Sequence, residues 1–413
     1  MSIRRFFLWL HRVTGLAIAA FVIVVGLTGS VLAFRDDIDR WLNPQLFSTP
    51  EPGVPQLDFA RIIDRAEAQF PHRRAYDIYA GPRAVQVMMS PRTDPTTGKS
   101  YNLGFDTVYL NPWTGQELAR LTPGDRSPYW LTNIIVTLHA TLYLGNFGFV
   151  TLGVVALLWT VDCFVGFYLT VPITLERFGQ RWKQAWQVKW RASAARINSD
   201  MHRAIGLWLW PVLFIFALSG VLFNLGPVYH RVFDPIFEYH EPAPETMDMS
   251  PVNETHPPRI DYRTALAMAE KMMAEQAKTH GFVVESQTVF EYQDNACEYF
   301  YNVRSSRDIA DRDHISFTTL TFNCNTGKLR SVHIPSGEYS GNTIALWLQY
   351  LHMVWTLGLP YRIFVFLLGI LMAMLSATGV YIWWRKQRVL IQIKHRLKQA
   401  ASPAAAAAGG RSR

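Results

Sequence analysis

Four histidines form two matched pairs in apolar stretches of the chain, where an imidazole nitrogen can bind a metal. His11 and His202 each begin the pattern His-Arg-x-x-Gly-Leu, and His139 and His352 each follow a leucine and precede a Leu-Gly dipeptide. Histidine is the commonest metal ligand among side chains, and an ionisable group at membrane depth is costly enough to indicate function. The two pairs therefore predict two bis-imidazole haem sites and electron transfer across a membrane.

The elements that must hold these histidines are transmembrane helices. Charged residues are only 17% of the 413 residues, and four segments are long enough to cross a bilayer, which takes roughly 20 apolar residues. The four segments are residues 13–34, 149–171, 204–226 and 363–384. They predict an integral membrane protein with an all-α four-helix transmembrane bundle in contact with the lipid bilayer.

The distribution of Lys and Arg orients these helices. Residues 1–12, residues 172–203 and the tail from 385 hold 18 of the 40 basic residues but only two of the 32 acidic ones. The positive-inside rule places these three pieces in the cytoplasm, together with both termini. The net charge of +8 therefore reflects topology and contact with anionic lipid, and no nucleic-acid motif is present.

The chain is an internal duplication in which each half consists of a helix, an external segment and a second helix. Aligning the halves on their histidines also aligns glycines. The matched glycines are Gly15 with Gly206, Gly29 with Gly220, Gly145 with Gly358 and Gly166 with Gly379. The external segments, 35–130 and 227–342, each begin with an amphipathic helix followed by strands. Each also contains Asn-x-x-Thr-Gly, at 111–115 and 323–327, which is typical of a tight hairpin turn.

These patterns divide the chain into eight pieces. They are a first transmembrane helix (1–34), a first external α+β domain (35–130), a second transmembrane helix with an external extension (131–172), a cytoplasmic amphipathic loop (173–201), a third transmembrane helix (202–226), a second external α+β domain (227–342), a fourth transmembrane helix with an external extension (343–384) and a basic, disordered cytoplasmic tail (385–413).

The motifs resemble those of the PepSY-associated transmembrane family over roughly residues 1–390. The resemblance is carried by Leu-His-Arg with Gly-Leu at 10–16, by Tyr-Leu-Asn-Pro-Trp-Thr-Gly at 109–115, and by the later helices with His139, His202 and His352. Within this family the chain is most similar to the di-haem siderophore (ferrioxamine-type) reductases of the bacterial inner membrane. The resemblance implies two haem b groups per chain, two PepSY-like periplasmic domains, and reduction of a ferric siderophore to release iron in the periplasm.

Depth assigns the four ligands to two sites, because both imidazoles of one haem must lie at the same level. We pair His11 with His202 at the cytoplasmic side, where both begin their helices, and His139 with His352 at the outer side. No Cys-x-x-Cys-His motif is present, so covalent attachment of haem is excluded. Arg12 and Arg203 either bind haem propionates or anchor the helices among lipid headgroups.

Several other residues have two interpretations. Asp162, in the middle of the second helix, is expected to bond to Thr28, Ser219 or Ser376 and is a candidate for proton or electron coupling. The tryptophans at 182, 186 and 190 predict an amphipathic surface helix or a docking site for an electron donor. Cys297 and Cys324 are placed outside the cytoplasm, where a disulfide between them is plausible.

Two further functions compete with ferric-siderophore reduction. One is a non-enzymatic peptide-binding or sensory membrane protein, which needs no haem. The other is a metal transporter, which needs a polar path that only Asp162 supplies. If the protein is a reductase, its electrons must come from an unknown cytoplasmic or membrane electron donor, because no nucleotide or flavin motif occurs in the chain.

Overall fold

The computed structural model describes residues 2–49, 53–81, 83–101, 104–122, 127–240, 258–293, 296–311 and 318–409, with side chains up to residue 397. The chain forms two compact units. The helical unit consists of Met1–Ala33, Ile135–Tyr229 and Ile363–Arg413, and the sheet unit consists of Phe34–Ile134 and His230–Arg362.

The strands come in two groups of four along the chain, and helices precede and follow each group. In chain order the helices are α1 (Ile3–Leu32), α2 (Arg35–Leu42), α3 (Phe59–Gln69), α4 (Trp130–Thr141), α5 (Gly145–Thr170), α6 (Phe178–Lys183), α7 (Ala194–Trp208), α8 (Trp210–Asn224), α9 (Gly226–Phe233), α10 (Tyr262–His280), α11 (Ser340–Met353) and α12 (Gly358–Gly409). The strands are β1 (Arg73–Ala80), β2 (Val85–Pro91), β3 (Thr107–Leu110), β4 (Glu117–Leu121), β5 (Val284–Gln293), β6 (Glu298–Ser305), β7 (Thr318–Asn323) and β8 (Leu329–His333).

Three helices of the described residues, α1, α5 and α12, are long and apolar enough to cross a membrane, with hydropathies of 2.4, 2.0 and 2.4. The third predicted span is a bent pair, since α7 and α8 are bent by 69° relative to each other. Pro211 lies in the first turn of α8, where its missing N–H and its ring favour a break in the helix. The protein is therefore a multi-pass membrane protein with three straight spans and one bent helix pair.

Small residues and apolar side chains hold the helical unit together. Ile18, Val155, Leu213 and Leu368 bury their side chains in one cluster that joins α1, α5, α8 and α12. Where α1 meets α12, the Ser30 hydroxyl donates to a backbone carbonyl of α12 at 2.8 Å. This packing fixes the helix faces that carry the candidate ligands.

His11 and His202 lie within helices and not at helix starts, so that prediction was wrong. His11 is eight residues after Ile3, and His202 is eight residues after Ala194. Arg4 explains the additional length at the beginning of α1, because its guanidinium donates to the last carbonyls of α5 at 2.7 and 2.9 Å. Both helices begin about two turns earlier than the sequence predicted, so the two histidines lie inside the helices.

The helical path is also interrupted before the second and fourth spans. Leu142 and Leu357 have left-handed φ angles of 52° and 65°, and α5 and α12 begin at Gly145 and Gly358 with φ angles of 55° and 63°. A left-handed leucine costs roughly 1–2 kcal/mol, so surrounding contacts must hold each break. Asp311 supplies one, since its carboxyl accepts a hydrogen bond from the Gly358 N–H at 3.1 Å.

The sheet unit contains one antiparallel sheet of eight strands in the order β4-β3-β2-β1-β5-β6-β7-β8. Each half supplies a helix and then four strands, and α3 and α10 pack onto the sheet through Ile62, Ile63, Leu266 and Met273. β1 and β5 pair in the middle, so the described external segments form one continuous sheet. The prediction of two separate domains was wrong because it did not foresee this pairing.

The two predicted hairpin turns have the same geometry. Oδ1 of Asn111 accepts hydrogen bonds from the N–H groups two and three residues later, at 2.8 and 3.1 Å. Oδ1 of Asn323 accepts the equivalent bonds at 2.9 Å each. Gly115 and Gly327 close these turns with φ angles of 68° and 69°, a conformation that glycine adopts without a Cβ clash.

Three other segments differ from their predicted form or extend it. The predicted amphipathic loop (residues 173–201) contains α6 and a short 3-10 turn (Gln184–Trp186) instead of one amphipathic helix. The tail continues α12 as far as Gly409, whereas disorder was expected, and residues 410–413 lie outside the described residues. Cys297 and Cys324 form a disulfide with a Cα–Cα distance of 5.1 Å, which joins two turns of the sheet unit.

Candidate functional site

His11 of α1 and His202 of α7 face each other inside the helical unit. Their ring centroids are 6.2 Å apart, and the ring planes are inclined by 53°. These two residues are 191 positions apart in the sequence, and each lies eight residues after the start of its helix. The structure therefore brings together the inner pair that the repeat predicted.

Hydrogen bonds at Nδ1 determine which nitrogen of each ring is available. Nδ1 of His202 lies 3.0 Å from the backbone oxygen of Leu375 and 3.1 Å from the hydroxyl of Thr378. A carbonyl oxygen has no proton to donate, so Nδ1 must carry the proton. Nε2 then keeps its lone pair, as metal ligation requires. Nδ1 of His11 lies 2.9 Å from each carboxyl oxygen of Asp162, which supports the same tautomer.

Glycines leave space beside both rings. Gly15 and Gly206 follow the histidines by one helical turn and line the same cavity, whose volume is about 510 Å³. On the opposite helices, a Cβ atom at Gly166 would come within 3.5 Å of the His11 ring, and one at Gly379 within 3.1 Å of the His202 ring. Both matched glycine pairs therefore belong to the histidine site.

The dimensions of this site fit a haem held between two imidazoles. A metal–imidazole bond is about 2.0–2.1 Å long and an imidazole centroid lies about 1.1 Å from its nitrogens, so two imidazoles on one metal have centroids roughly 6.2–6.4 Å apart. The cavity volume lies within the range of about 300–1,000 Å³ usual for cofactor pockets. Its apolar lining includes Trp159, Phe167, Trp210, Leu213 and Met372.

The two matched arginines have different environments. Arg203 donates to Asp200 at 2.9 Å and to the backbone oxygens of Gln184 and Ala185 at 2.9 and 3.1 Å. It therefore links α7 to the 3-10 turn that precedes it in the chain. Arg12 lines the cavity and has no hydrogen-bond partner among the described residues. Arg203 therefore has a structural role that neither expectation included, and Arg12 is available to an anionic group in the cavity.

Asp162 contacts His11 and none of the partners predicted for it. The hydroxyls of Thr28 and Ser219 bond elsewhere, and Asp162 is buried beside the imidazole. The prediction failed because it considered only hydroxyl partners. The sequence did contain a signal for this contact. Gly166 matches Gly379 in the repeat, and Asp162 lies one helical turn before Gly166, on the same face of α5.

His139 of α4 has a similar environment within the helical unit. Its Nδ1 lies 2.9 Å from the Thr28 hydroxyl, which itself donates to the backbone oxygen of Val24 at 2.7 Å. That hydroxyl therefore accepts from Nδ1, so the His139 ring has the same tautomer as the His202 ring. A Cβ atom at Gly29 would come within 3.1 Å of the His139 ring. The sequence did not indicate Thr28 as the partner of this histidine.

His352 lies in the last turn of α11, within the sheet unit. Its neighbour Tyr350 is fully buried, and the Tyr350 hydroxyl lies 3.4 Å from the Asp308 carboxyl group. These contacts attach the histidine-bearing helix to the sheet. The pairing of His352 with His139 stays a prediction, because the two residues belong to different units.

The remaining described histidines have other local contacts. His230 and His280 bond to Asp234 and Glu338 at 3.1 and 2.7 Å. Burial lowers the pKa of His333 below its ordinary value, and the nearby Asp308 opposes this effect. Among the described residues, no three His, Cys, Asp or Glu side chains form a metal-binding group. His256 and His314 lie outside the described residues.

Comparison with known proteins agrees with the sequence motifs and the helical architecture. A search of curated proteins found no match to this chain. The family model described as "PepSY-associated TM region" matches residues 8–386, which is most of the chain and includes His11, His139, His202 and His352. The chain therefore belongs to the PepSY-associated transmembrane family.

Proposed function

We propose that this protein is a di-haem b electron-transfer protein of the bacterial inner membrane that reduces a ferric siderophore in the periplasm. The observation that carries the proposal is the inner histidine pair. Its ring centroids are 6.2 Å apart, both rings have Nδ1 hydrogen-bonded, and both border one largely apolar cavity. This arrangement has the ligand type, separation and tautomer that a low-spin haem needs.

Each residue of the inner site has a role in this proposal. His11 and His202 would hold the haem iron through their Nε2 nitrogens. Arg12 offers its guanidinium to a propionate group, and the glycines give the planar ring space between the helices. When bound, haem supplies reversible one-electron chemistry. The protein holds the ligands, excludes water with the apolar lining, and fixes the hydrogen bonds at Nδ1.

The outer site uses His139 and His352 in the same proposal. His139 has its proton on Nδ1, a neutral hydroxyl partner and an adjacent glycine, and His202 of the inner site shares all three features. An electron that reached the outer pair would have crossed most of the membrane. Two haems per chain at different depths would form a path for electrons from a cytoplasmic or membrane electron donor.

Two independent observations support the orientation of this path. Lys and Arg are concentrated in the predicted cytoplasmic segments. The disulfide between Cys297 and Cys324 lies in the sheet unit, and disulfides persist in oxidising compartments such as the periplasm. Both observations favour a periplasmic sheet unit and cytoplasmic termini.

The proposed reaction transfers one electron to the ferric ion of the chelate. Fe³⁺ becomes Fe²⁺, no bond to the protein forms, and the hard oxygen ligands of a siderophore bind the ferrous ion less tightly, so iron is released. A one-electron reductant on the cytoplasmic or membrane side must restore the electron. General acid–base residues are not required for this step, which agrees with a site built from ligands and apolar walls.

The decisive experiment measures haem in the purified full-length protein. The oxidised and dithionite-reduced spectra should show a low-spin b-type haem, and a pyridine haemochrome assay should give a ratio of roughly two haems per chain. A ratio near zero after haem-replete expression would overturn the proposal. It would favour the alternative of a peptide-binding or sensory membrane protein, which has no need of haem.

A further inference from the structure

A carboxyl group lies against one imidazole of the inner pair, in a helix that is otherwise apolar. Both oxygens of Asp162 are 2.9 Å from Nδ1 of His11, and the Asp162 side chain is 10% exposed. A buried carboxylate is costly unless it is paired, and at membrane depth such a group indicates function. Packing alone would favour an apolar residue at this position.

The internal repeat makes this contact asymmetric. Leu375 occupies the position equivalent to Asp162, and His202 donates to the backbone oxygen of Leu375 and to the Thr378 hydroxyl. His139 donates to the Thr28 hydroxyl. The Nδ1 atom of His11 therefore has a carboxyl partner, whereas the corresponding atoms of His202 and His139 have neutral partners.

The difference matters for the electronic character of the ligand. When Nε2 of His11 binds a metal, Nδ1 carries the proton and donates it to Asp162, which accepts it as a carboxylate. A hydrogen bond to a carboxylate raises the basicity of a ligating imidazole, and hydrogen bonding near the ligands is one of the means by which proteins tune haem potentials. A more basic ligand and a nearby negative charge both favour ferric over ferrous iron.

We infer that Asp162 is a positioning residue that lowers the reduction potential of the inner haem below that of the outer haem. Electrons then run downhill from the cytoplasmic to the periplasmic side of the protein. The inference rests on the proposed function, because it requires haem iron between His11 and His202. It adds a direction of flow that the two matched histidine pairs alone do not provide.

Redox titration of haem-loaded full-length protein tests this inference. The inner haem is identified as the one that is lost in His202→Ala protein. Asp162→Asn and Asp162→Leu should each raise the reduction potential of this haem and leave that of the other haem unchanged. We expect a shift of at least tenfold in the ferric–ferrous equilibrium, which is about 59 mV for one electron. The electron paramagnetic resonance signal of the same ferric haem should also change. Thr378→Val removes a neutral partner of His202 and should shift that equilibrium by much less.

The outcomes separate this inference from the proposed function. Wild-type protein without haem would overturn both. If wild-type protein bound two haems but Asp162→Asn and Asp162→Leu left both reduction potentials unchanged, only the role of Asp162 would be overturned. If both variants lost the inner haem, Asp162→Glu decides the matter, because it retains a carboxylate. It should keep that haem near the wild-type potential, and loss of the haem from this variant as well would overturn the inference.

Discussion

His11 and His202 should bind one haem together, because their rings face each other within the helical unit at a centroid distance of 6.2 Å. We expect His11→Ala and His202→Ala each to remove or convert the same haem, leaving roughly one haem per chain. Reduced spectra and haem assays of the two variants measure this outcome. If His11→Ala and His352→Ala removed the same haem, the pairing would be wrong.

The two matched arginines should respond differently to substitution. Arg203→Ala breaks hydrogen bonds to buried Asp200 and to the 3-10 turn before α7, so it should cost about 1–3 kcal/mol of stability. Arg12→Ala breaks no such bond among the described residues, so the thermal midpoint of the apoprotein should change little. It should lower haem retention, because the guanidinium group would no longer be offered to a propionate. Thermal unfolding in detergent and haem content, measured on both variants, distinguish the two roles. A larger loss of apoprotein stability in Arg12→Ala would contradict this assignment.

Sequence reasoning identified the two histidines of the candidate inner site but not their hydrogen-bond partners. The histidines and glycines could be found because they recur in both halves of the chain. Asp162 and Thr378 have different residue types at the equivalent positions, and their contacts with the histidines span 151 and 176 residues. A repeat reports what the two halves share, so partners that differ between the halves give no such signal.

At the scale of elements, the close approach of α12 to His202 has a measurable consequence. Gly379→Val would place a Cβ atom 3.1 Å from the His202 ring and add two methyl groups. The ring must then move, which should reduce haem content from roughly two to roughly one per chain. Gly179→Val is the matched control, because a Cβ atom there meets nothing within 4 Å. Full haem content in Gly379→Val protein would show that the ring position is not critical.

The disulfide should stabilise the sheet unit by linking two of its turns. It closes a loop with a sequence separation of 27 residues, so its removal should cost about 3–4 kcal/mol by the loop-entropy estimate. Near-ultraviolet circular dichroism during heating should show an earlier transition in Cys297→Ser protein or after reduction. Cys163→Ser, which leaves the bridge intact, is the control. Equal midpoints for Cys297→Ser and Cys163→Ser would contradict the prediction.

Elements could be predicted from the sequence where one face is apolar and the ends carry caps. In α3 and α10, buried apolar residues recur at helical spacing. The two helices begin after Asp58 and Asp261, whose side chains accept backbone hydrogen bonds. The strands β4 and β8 lie at the two edges of the sheet. Every residue of β8 is only partly buried. Neither strand therefore shows a clear alternation of apolar and polar residues. In β1 the buried side chains include Arg73 and Asp77, which a hydrophobicity pattern cannot recognise as inward-facing.

At the scale of the whole molecule, the proposal predicts vectorial electron transfer. A membrane-impermeant ferric siderophore, added to pre-reduced proteoliposomes with the sheet unit facing the medium, should oxidise both haems. His352→Ala should block this oxidation while the inner haem stays reducible, because the outer haem would be the immediate electron donor. Stopped-flow absorbance measures the rate. Oxidation of the His352→Ala protein at the wild-type rate would remove the outer haem from the path.

The pairing of β1 with β5 bears on how such a molecule could arise. These strands are equivalent in the two halves, and they run antiparallel, which is the arrangement that a two-fold axis produces between identical subunits. A homodimer of single halves could therefore build the same sheet, but it would have to present the same residue to both imidazoles of its inner site. A single covalent chain is free of that constraint. In this chain Asp162 faces one histidine while Leu375 occupies the equivalent position beside the other, which two identical subunits could not provide.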